Sequence, residues 1–223
     1  MGNAIGYGWK KFTENVGPIL IAMLIFMLIG GLLYLLQWLV TPDPTVVTQT
    51  SNGVTYTTAT GGSLLGSIVS FIFGIIIFVW QYLVEAAIAR GGLTLTEGRP
   101  LVLSELLSFQ KLGKIIVAGI ILSILTVIGL ILCIIPGLLV IIFGSFFIYF
   151  ILDQDAGIWD SITMSFSFVK EHFGEVLLLL ILCFLITLAG ALLCGIGLFV
   201  AIPVVAIAKT YAYKVLRGQP VAP

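Results

Sequence analysis

Long apolar runs alternate with short polar stretches along the whole chain. The first run covers 17–40 and the second 63–84. The third, Ile115 to Leu152, holds 38 residues without a charge. A single membrane-spanning helix needs about 20 apolar residues, so this run is too long for one span and fits two. Pro136 has no amide N–H and restricts Ile135, and Gly137 turns freely, which places a tight turn at Pro136-Gly137 between spans at 115–135 and 138–152. At 1.5 Å per residue the second arm is about 22 Å, short for a core about 30 Å thick. Either its turn lies below the outer surface or the helix continues past Asp153. Two further runs, 176–194 and 198–216, meet at Cys194-Gly195-Ile196-Gly197, with Gly195 and Gly197 as turn residues. Pro203 is expected to kink the last span. The pattern predicts an all-α integral membrane fold with six transmembrane helices.

Three polar stretches share a second pattern. In 1–16, Ile5, Trp9, Phe12 and Val16 oppose Lys10, Lys11, Glu14 and Asn15. In 85–114, turns are expected at Gly91-Gly92 and at Glu97-Gly98-Arg99-Pro100. Beyond Pro100, Leu103, Leu106 and Leu107 oppose Ser104, Ser108 and Lys111. In 153–175, Ile158, Ile162, Phe166, Val169 and Phe173 oppose Asp160, Ser167, Lys170, Glu171 and Glu175. Each reads as an amphipathic interfacial helix leading into a span. The loop 41–62 differs, with Pro, Thr, Ser, Asn and Gly and one charge, Asp43. Its Val46-Val47 and Val54-Thr55-Tyr56, flanking Asn52-Gly53, fit a small β-hairpin or a flexible loop.

A shift of 61 residues lays the third run on the last hairpin. Gly113 falls on Gly174, Thr126 on Thr187, Gly129 on Gly190, Cys133 on Cys194 and Pro136 on Gly197. The first two spans follow the plan more loosely. The expected whole is one membrane domain of three parallel two-span units, each preceded by an interfacial helix. All ten Lys and Arg fall in 1–16, 85–114, 153–175 or the end of the last span. The positive-inside rule then predicts a bacterial plasma membrane protein with both termini cytoplasmic. The first run is longer than a signal-peptide core and no small-x-small cleavage site follows, so it is expected to stay as a span.

Composition agrees. Sixty per cent of residues are hydrophobic and 9% charged, with mean hydropathy +1.23, against about 25% charged in a soluble domain. The polar–apolar alternation of a membrane β-barrel is missing. Zero net charge gives no electrostatic case for nucleic acid. The three cysteines lie in apolar runs and do not make a disulfide scaffold.

Candidate chemistry is sparse. Gly62, Gly66, Ser70 and Gly74 form a small-residue stripe suited to close helix packing, within the chain or in a homodimer. Glu85, Asp153 and Lys209 fall at expected inner boundaries, with Lys209 snorkelling, so no ionisable group is expected near a midplane. Thr126 and Thr187, with backbone freed at Pro203, make a candidate polar path; the two threonines could instead bond their own i−4 carbonyls. His172 is the only histidine, which excludes a histidine metal cluster. Asp153, Asp155 and Asp160 could bind a cation, but capping and solvation suit them better. There is no phosphate-binding glycine loop. Cys133 and Cys194 are expected as thiols, or as a pair if the repeats pack side by side. No catalytic residue, cofactor or metal is expected.

The stretch Tyr7-Gly8-Trp9-Lys10-Lys11-Phe12 leading to Gly17, the Ile135-Pro136-Gly137 turn, and the segment from Asp153 through Ser161 to Lys170 resemble a broad group of bacterial multi-span proteins. The group includes the membrane domain attached to some glycerophosphodiester phosphodiesterases and its stand-alone, YciC-like relatives. The first stretch looks most like actinobacterial members. The resemblance implies a membrane architecture; no phosphodiesterase domain is present, so no activity carries over. The expected role is a non-enzymatic accessory or organising subunit that packs against lipids or membrane-protein partners. A transporter or lipid-translocating protein is the alternative, and a membrane-shaping hairpin protein the third.

Overall fold

The computed structural model describes residues 2–40, 45–51, 54–60, 64–106, 108–193 and 197–223. In chain order these form α1 (Gly2–Glu14), α2 (Val16–Val40), β1 (Thr45–Ser51), β2 (Val54–Thr60), α3 (Leu64–Thr96), α4 (Leu103–Leu106) and α5 (Leu112–Leu132). Then follow α6 (Ile134–Phe143), α7 (Phe147–Gln154), α8 (Ile158–Glu171), α9 (Phe173–Leu192) and α10 (Leu198–Leu216). Six segments are long and apolar enough to cross a membrane: α2, α3, α5, α6 with α7, α9 and α10. Their outward side chains, such as Leu28, Phe71, Ile131 and Leu192, are exposed and apolar. That is the surface of a multi-pass membrane protein, since a soluble chain hides such faces.

The chain forms two compact units, Met1–Met23 with Tyr82–Pro223, and Leu24–Gln81. In the second unit β1 and β2 pair antiparallel, with Thr45 opposite Thr60 and Ser51 opposite Val54. The hairpin reading of 41–62 therefore holds, while its Asn52-Gly53 turn lies outside the described residues. Phe26 meets Trp80 edge to face, with ring centroids 5.9 Å apart. A Cβ on Gly30 would stand 3.1 Å from the Trp80 indole nitrogen. Of the small-residue stripe, Ser70 donates to the Gly66 carbonyl at 2.8 Å. Gly74 has no neighbour within 4 Å of a built Cβ, and Gly62 lies outside the described residues. Among the described residues Gly74 therefore makes no close helix contact. Gly74→Leu is expected to change stability by less than about 0.5 kcal/mol in thermal unfolding.

The larger unit is built on two helical hairpins. In the first, α5 runs antiparallel to α6, but the turn is not at Pro136-Gly137. The chain reverses at Cys133, which is extended (φ −171°, ψ 154°). Pro136 sits in the first turn of α6, where amide hydrogens have no helical partner anyway, so its missing N–H does no harm there. Gly137 is a packing residue: a Cβ on Gly129 would meet its nitrogen at 2.8 Å and its Cα at 2.9 Å. The second hairpin closes the same way, Gly190 lying against Gly197, where a Cβ on Gly197 would meet the Gly190 Cα at 2.7 Å. Gly195, the other expected turn residue, and Cys194 lie outside the described residues. Cys133 is an exposed free thiol and Cys183 a buried one. Each hairpin thus has a close glycine–glycine approach, Gly129 to Gly137 and Gly190 to Gly197.

The amphipathic segments pack against the spans. α1 buries Ala4, Gly8 and Phe12; of the expected stripe Phe12 is buried, Ile5 and Val16 are half-buried, and Trp9 stays exposed. Its small face lies on α10, where a Cβ on Gly8 would stand 2.5 Å from the Val204 carbonyl oxygen. Gly8→Val is expected to lever α1 off α10, read as faster tryptic cleavage at Lys10 and Lys11. α3 runs through the expected Gly91-Gly92 turn. Gly92 is helical, and a Cβ there would stand 2.2 Å from Thr210 Oγ1, so α3 crosses α10 at a glycine. α4 is a single turn, and the segment after it is held by Arg90, which donates to the Ser108 and Gln110 carbonyls. α8 buries Ile162 and Val169 of the expected apolar stripe, with Ile158 and Phe166 packed against the same core, and adds Ser161, Ser165 and Phe168 to that face.

Candidate functional site

Two polar levels are stacked in the larger unit. The inner one joins segments far apart in sequence. Asp153, at the end of α7, accepts from Lys214 at 2.6 Å, Arg217 at 3.0 Å and the Tyr213 hydroxyl at 3.1 Å. Lys214 also pairs with Glu97 at 3.5 Å, and Glu97 with Arg99 at 2.8 Å. Asp155 pairs with Lys114 at 2.9 Å and Lys111 at 3.5 Å. The supposed acidic cluster is therefore distributed among separate cation partners, and Asp160 stands in the first turn of α8. Among the described residues no group of three metal-binding side chains occurs.

The hydrogen bond from Lys114, with the charges of Lys111 and Lys114, holds the exposed Asp155 carboxyl below its ordinary range. A depressed carboxyl stabilises the fold above its unfolded pKa, about 3.9, and that contribution is lost as pH falls through the folded value. Thermal unfolding should therefore show an acid-side loss beginning near pH 4 that is weaker in Asp155→Asn. Burial, with Glu14 and Tyr211 nearby, pushes the Tyr7 phenol up to about 12. It stays a donor, bonding the Ala222 carbonyl at 2.9 Å.

The second level lies deeper. The fourth span changes winding midway: α6 stops at Phe143 and α7 starts at Phe147, and between them the chain runs on in tighter turns, the Ser145 N–H bonding the Ile142 carbonyl and the Phe147 N–H the Gly144 carbonyl, each at 3.3 Å. The break is level with the middle of α5, because the Leu122 side chain lies 3.1 Å from where a Cβ on Gly144 would stand. Interrupted helix at membrane depth needs its backbone groups satisfied by protein, and serines do so. Ser165, fully buried, donates to the Phe143 carbonyl at 2.6 Å and accepts from the Phe146 N–H at 3.2 Å. Ser145 donates to the Ile142 carbonyl at 2.7 Å. Ser165→Ala would leave the Phe146 N–H and Phe143 carbonyl without this partner, and a loss of about 1–3 kcal/mol is expected in thermal unfolding.

Around this break stand the two ionisable groups expected at the inner boundary. The Tyr82 and Ser123 hydroxyls are 3.3 Å apart, so Tyr82 is level with the middle of α5. Glu85, three residues on, lies only about 4.5 Å further in. It is five residues, about 7.5 Å, nearer the membrane centre than Arg90 in the inner layer. Lys209 is likewise five residues outward of Lys214. Both thus lie about one and a half turns from the ionic layer, beside two cavities.

Glu85, Lys209 and Ser145 line two cavities in common. One, of about 400 Å³, also takes in Tyr82, Ser123 and Thr126. The other, of about 160 Å³, takes in Tyr149 and Thr187. Both threonines bond their own helix: Thr126 donates to Leu122 and Thr187 to Cys183, each at 2.8 Å. These are the i−4 bonds the sequence allows as the alternative to a polar path; Thr126 lines the larger cavity and Thr187 the smaller. Pro203 is buried inside α10 and lines neither cavity. Among the described residues, no hydrogen bond and no ion pair within 4 Å engages Glu85 or Lys209; they act on each other only over a longer distance.

Known proteins supply kinship. The uncharacterized protein Mb2590 of Mycobacterium bovis is 30% identical over 229 residues, covering 98% of this chain and 69% of the relative. The chain belongs to that family. The uncharacterized proteins MT2637 and Rv2560 of Mycobacterium tuberculosis match over the same extent at 30% and 29% identity. No family model matches, and no solved structure matches.

Proposed function

We propose that the chain is a non-enzymatic membrane protein that moves a polar or amphiphilic solute past the bilayer centre. The observation that carries this reading is the broken fourth span with Glu85 and Lys209 beside it, lining cavities that reach Thr126 and Thr187. Discontinuous helices near the midplane, with polar groups gathered at the break, are a recurring way to build a substrate site in transporters. Intramembrane ionisable groups are costly and are functional by default.

The reading includes a plasma-membrane location with both termini in the cytoplasm. Its support is that 85–114, 153–175 and the chain's end meet in one ionic layer, through Lys214–Glu97 and Lys111–Asp155. It includes descent of the two hairpins from one repeated unit, with the first two spans as a looser third. Likeness to the membrane domain of glycerophosphodiester phosphodiesterases is part of it, resting on the quoted stretches alone. An accessory subunit packing against a partner or a second copy is the other reading, supported by the open face at Gly74.

The test is translocation by the purified chain in vesicles carrying tail-labelled phospholipid, with the outer-leaflet label quenched chemically. The expected result is faster loss of inner-leaflet label than in protein-free vesicles, and slower loss with Glu85→Gln or Lys209→Met. Rates equal to protein-free vesicles, with well-folded protein, would favour the accessory reading.

A further inference from the structure

We infer that the Glu85–Lys209 site takes a zwitterionic headgroup, one phosphate and one ammonium on a short linker. This rests on the translocation reading and names its substrate class. The first support is the contrast between the two polar levels. In the inner layer opposite charges are paired: Asp153 with Lys214 and Arg217, Asp155 with Lys111 and Lys114. About one and a half turns away, Glu85 and Lys209 line the same two cavities without a bond between them. A singly charged ligand would satisfy one and repel the other. A dipolar group satisfies both.

The second support is the state of the hydroxyls. Thr126 and Ser145 donate their protons to the Leu122 and Ile142 carbonyls. Their remaining lone pairs can accept from ammonium N–H groups, and Lys209, lining the same cavity, is the cation for phosphate. The third is the rim. Val127 and Ile141, 54% and 52% exposed, line the larger cavity. An apolar rim facing hydrocarbon gives acyl chains a place to lie, so the headgroup of a lipid fits better than a free phosphate ester.

Binding to the full chain in detergent tests this without requiring movement. The readout is the Tm shift on titration with phosphatidylethanolamine, phosphatidylglycerol and soluble phosphoethanolamine. Phosphatidylethanolamine is expected to bind at least tenfold tighter than phosphatidylglycerol. Glu85→Gln and Lys209→Met should each erase that preference, and the exchange Glu85→Lys with Lys209→Glu should restore part of it. Weak binding of phosphoethanolamine, abolished by the same variants, would show that the headgroup is read and the chains add affinity; phosphoethanolamine binding as tightly as the lipid would assign the site to a free ester. Should a charge variant fail to fold, Thr126→Val with Ser145→Ala is expected to weaken phosphatidylethanolamine severalfold while sparing phosphatidylglycerol. Equal binding of both lipids, or a preference that survives the variants, would overturn the inference. Selective binding without vesicle translocation would sink the transport reading alone, and translocation without headgroup selectivity would sink this one alone.

Discussion

Asp153→Ala is expected to lower the unfolding free energy by about 3 kcal/mol, because it removes one partner from a largely buried charge cluster. The Asp153 side chain is 12% exposed and that of Lys214 9%. Three donors converge on the carboxylate: Lys214, Arg217 and the Tyr213 hydroxyl. Tyr213 is itself fully buried, stacked with Tyr149 at 5.4 Å and edge-on to Phe150 at 5.2 Å. Truncation therefore strands Arg217, leaves Lys214 with Glu97 alone at 3.5 Å, and loosens the ring cluster. Asp153→Asn keeps the volume and isolates the charge. The check is thermal unfolding of the detergent-solubilised chain. A loss below about 0.5 kcal/mol would mean that these ions are solvated and held by other groups.

Gly129→Val should damage the chain by a different route. Its Cβ would meet backbone, the Gly137 nitrogen at 2.8 Å and the Pro136 carbonyl carbon at 3.1 Å. Backbone cannot rotate away as a flexible side chain can, so α5 and α6 must separate. Overpacking costs about 1–3 kcal/mol where side chains can adjust, and more where they cannot. The upper end is expected here. Gly190→Val should cost a similar amount, since its Cβ would lie 3.0 Å from both the carbonyl carbon and oxygen of Gly197 and 2.9 Å from the Ala201 Cβ. Gly113→Ala and Gly174→Ala, at positions with open space, are the controls and should stay within about 0.5 kcal/mol. If Gly129→Val and Gly190→Val unfold like the controls, the hairpins are not closed by glycine contacts.

Run length made the span count and both hairpins legible, because a run of 38 uncharged residues admits no other reading at bilayer thickness. The turn was misplaced because proline is disfavoured inside a helix but tolerated in its first turn, which is where Pro136 sits. The small residues in the packed faces of α1 and α8 went unread for one reason. Hydrophobic periodicity marks large apolar residues, whereas these helices pack through Ala4, Gly8, Ser161 and Ser165. In a membrane protein small residues set close contacts and large ones often face lipid. The broken span left no periodicity signal, since Gly144-Ser145-Phe146 lies inside an apolar run. A Gly-Ser pair at mid-span was the available hint, as such pairs are known kink positions. Ser165 could not be assigned from sequence, because its partners Phe143 and Phe146 are backbone groups about 20 residues away. Thr126 and Thr187 were legible as an equivalent pair, and their bonds to Leu122 and Cys183 keep the 61-residue shift.

That a polar site reaches the bilayer centre is tested most directly by solvent access. In a chain with Cys133, Cys183 and Cys194 replaced by alanine, single cysteines at Thr126, Ser145 and Thr187 would be exposed to a membrane-impermeant, water-dependent thiol reagent in reconstituted vesicles. Leu125 and Leu188, exposed apolar residues on the same helices, serve as lipid-facing references. The account predicts labelling at all three cavity positions well above the references, and slower labelling at Ser145 when phosphatidylethanolamine replaces phosphatidylglycerol. Labelling at 126, 145 and 187 no faster than at 125 and 188 would contradict it, leaving Glu85 and Lys209 in dry protein.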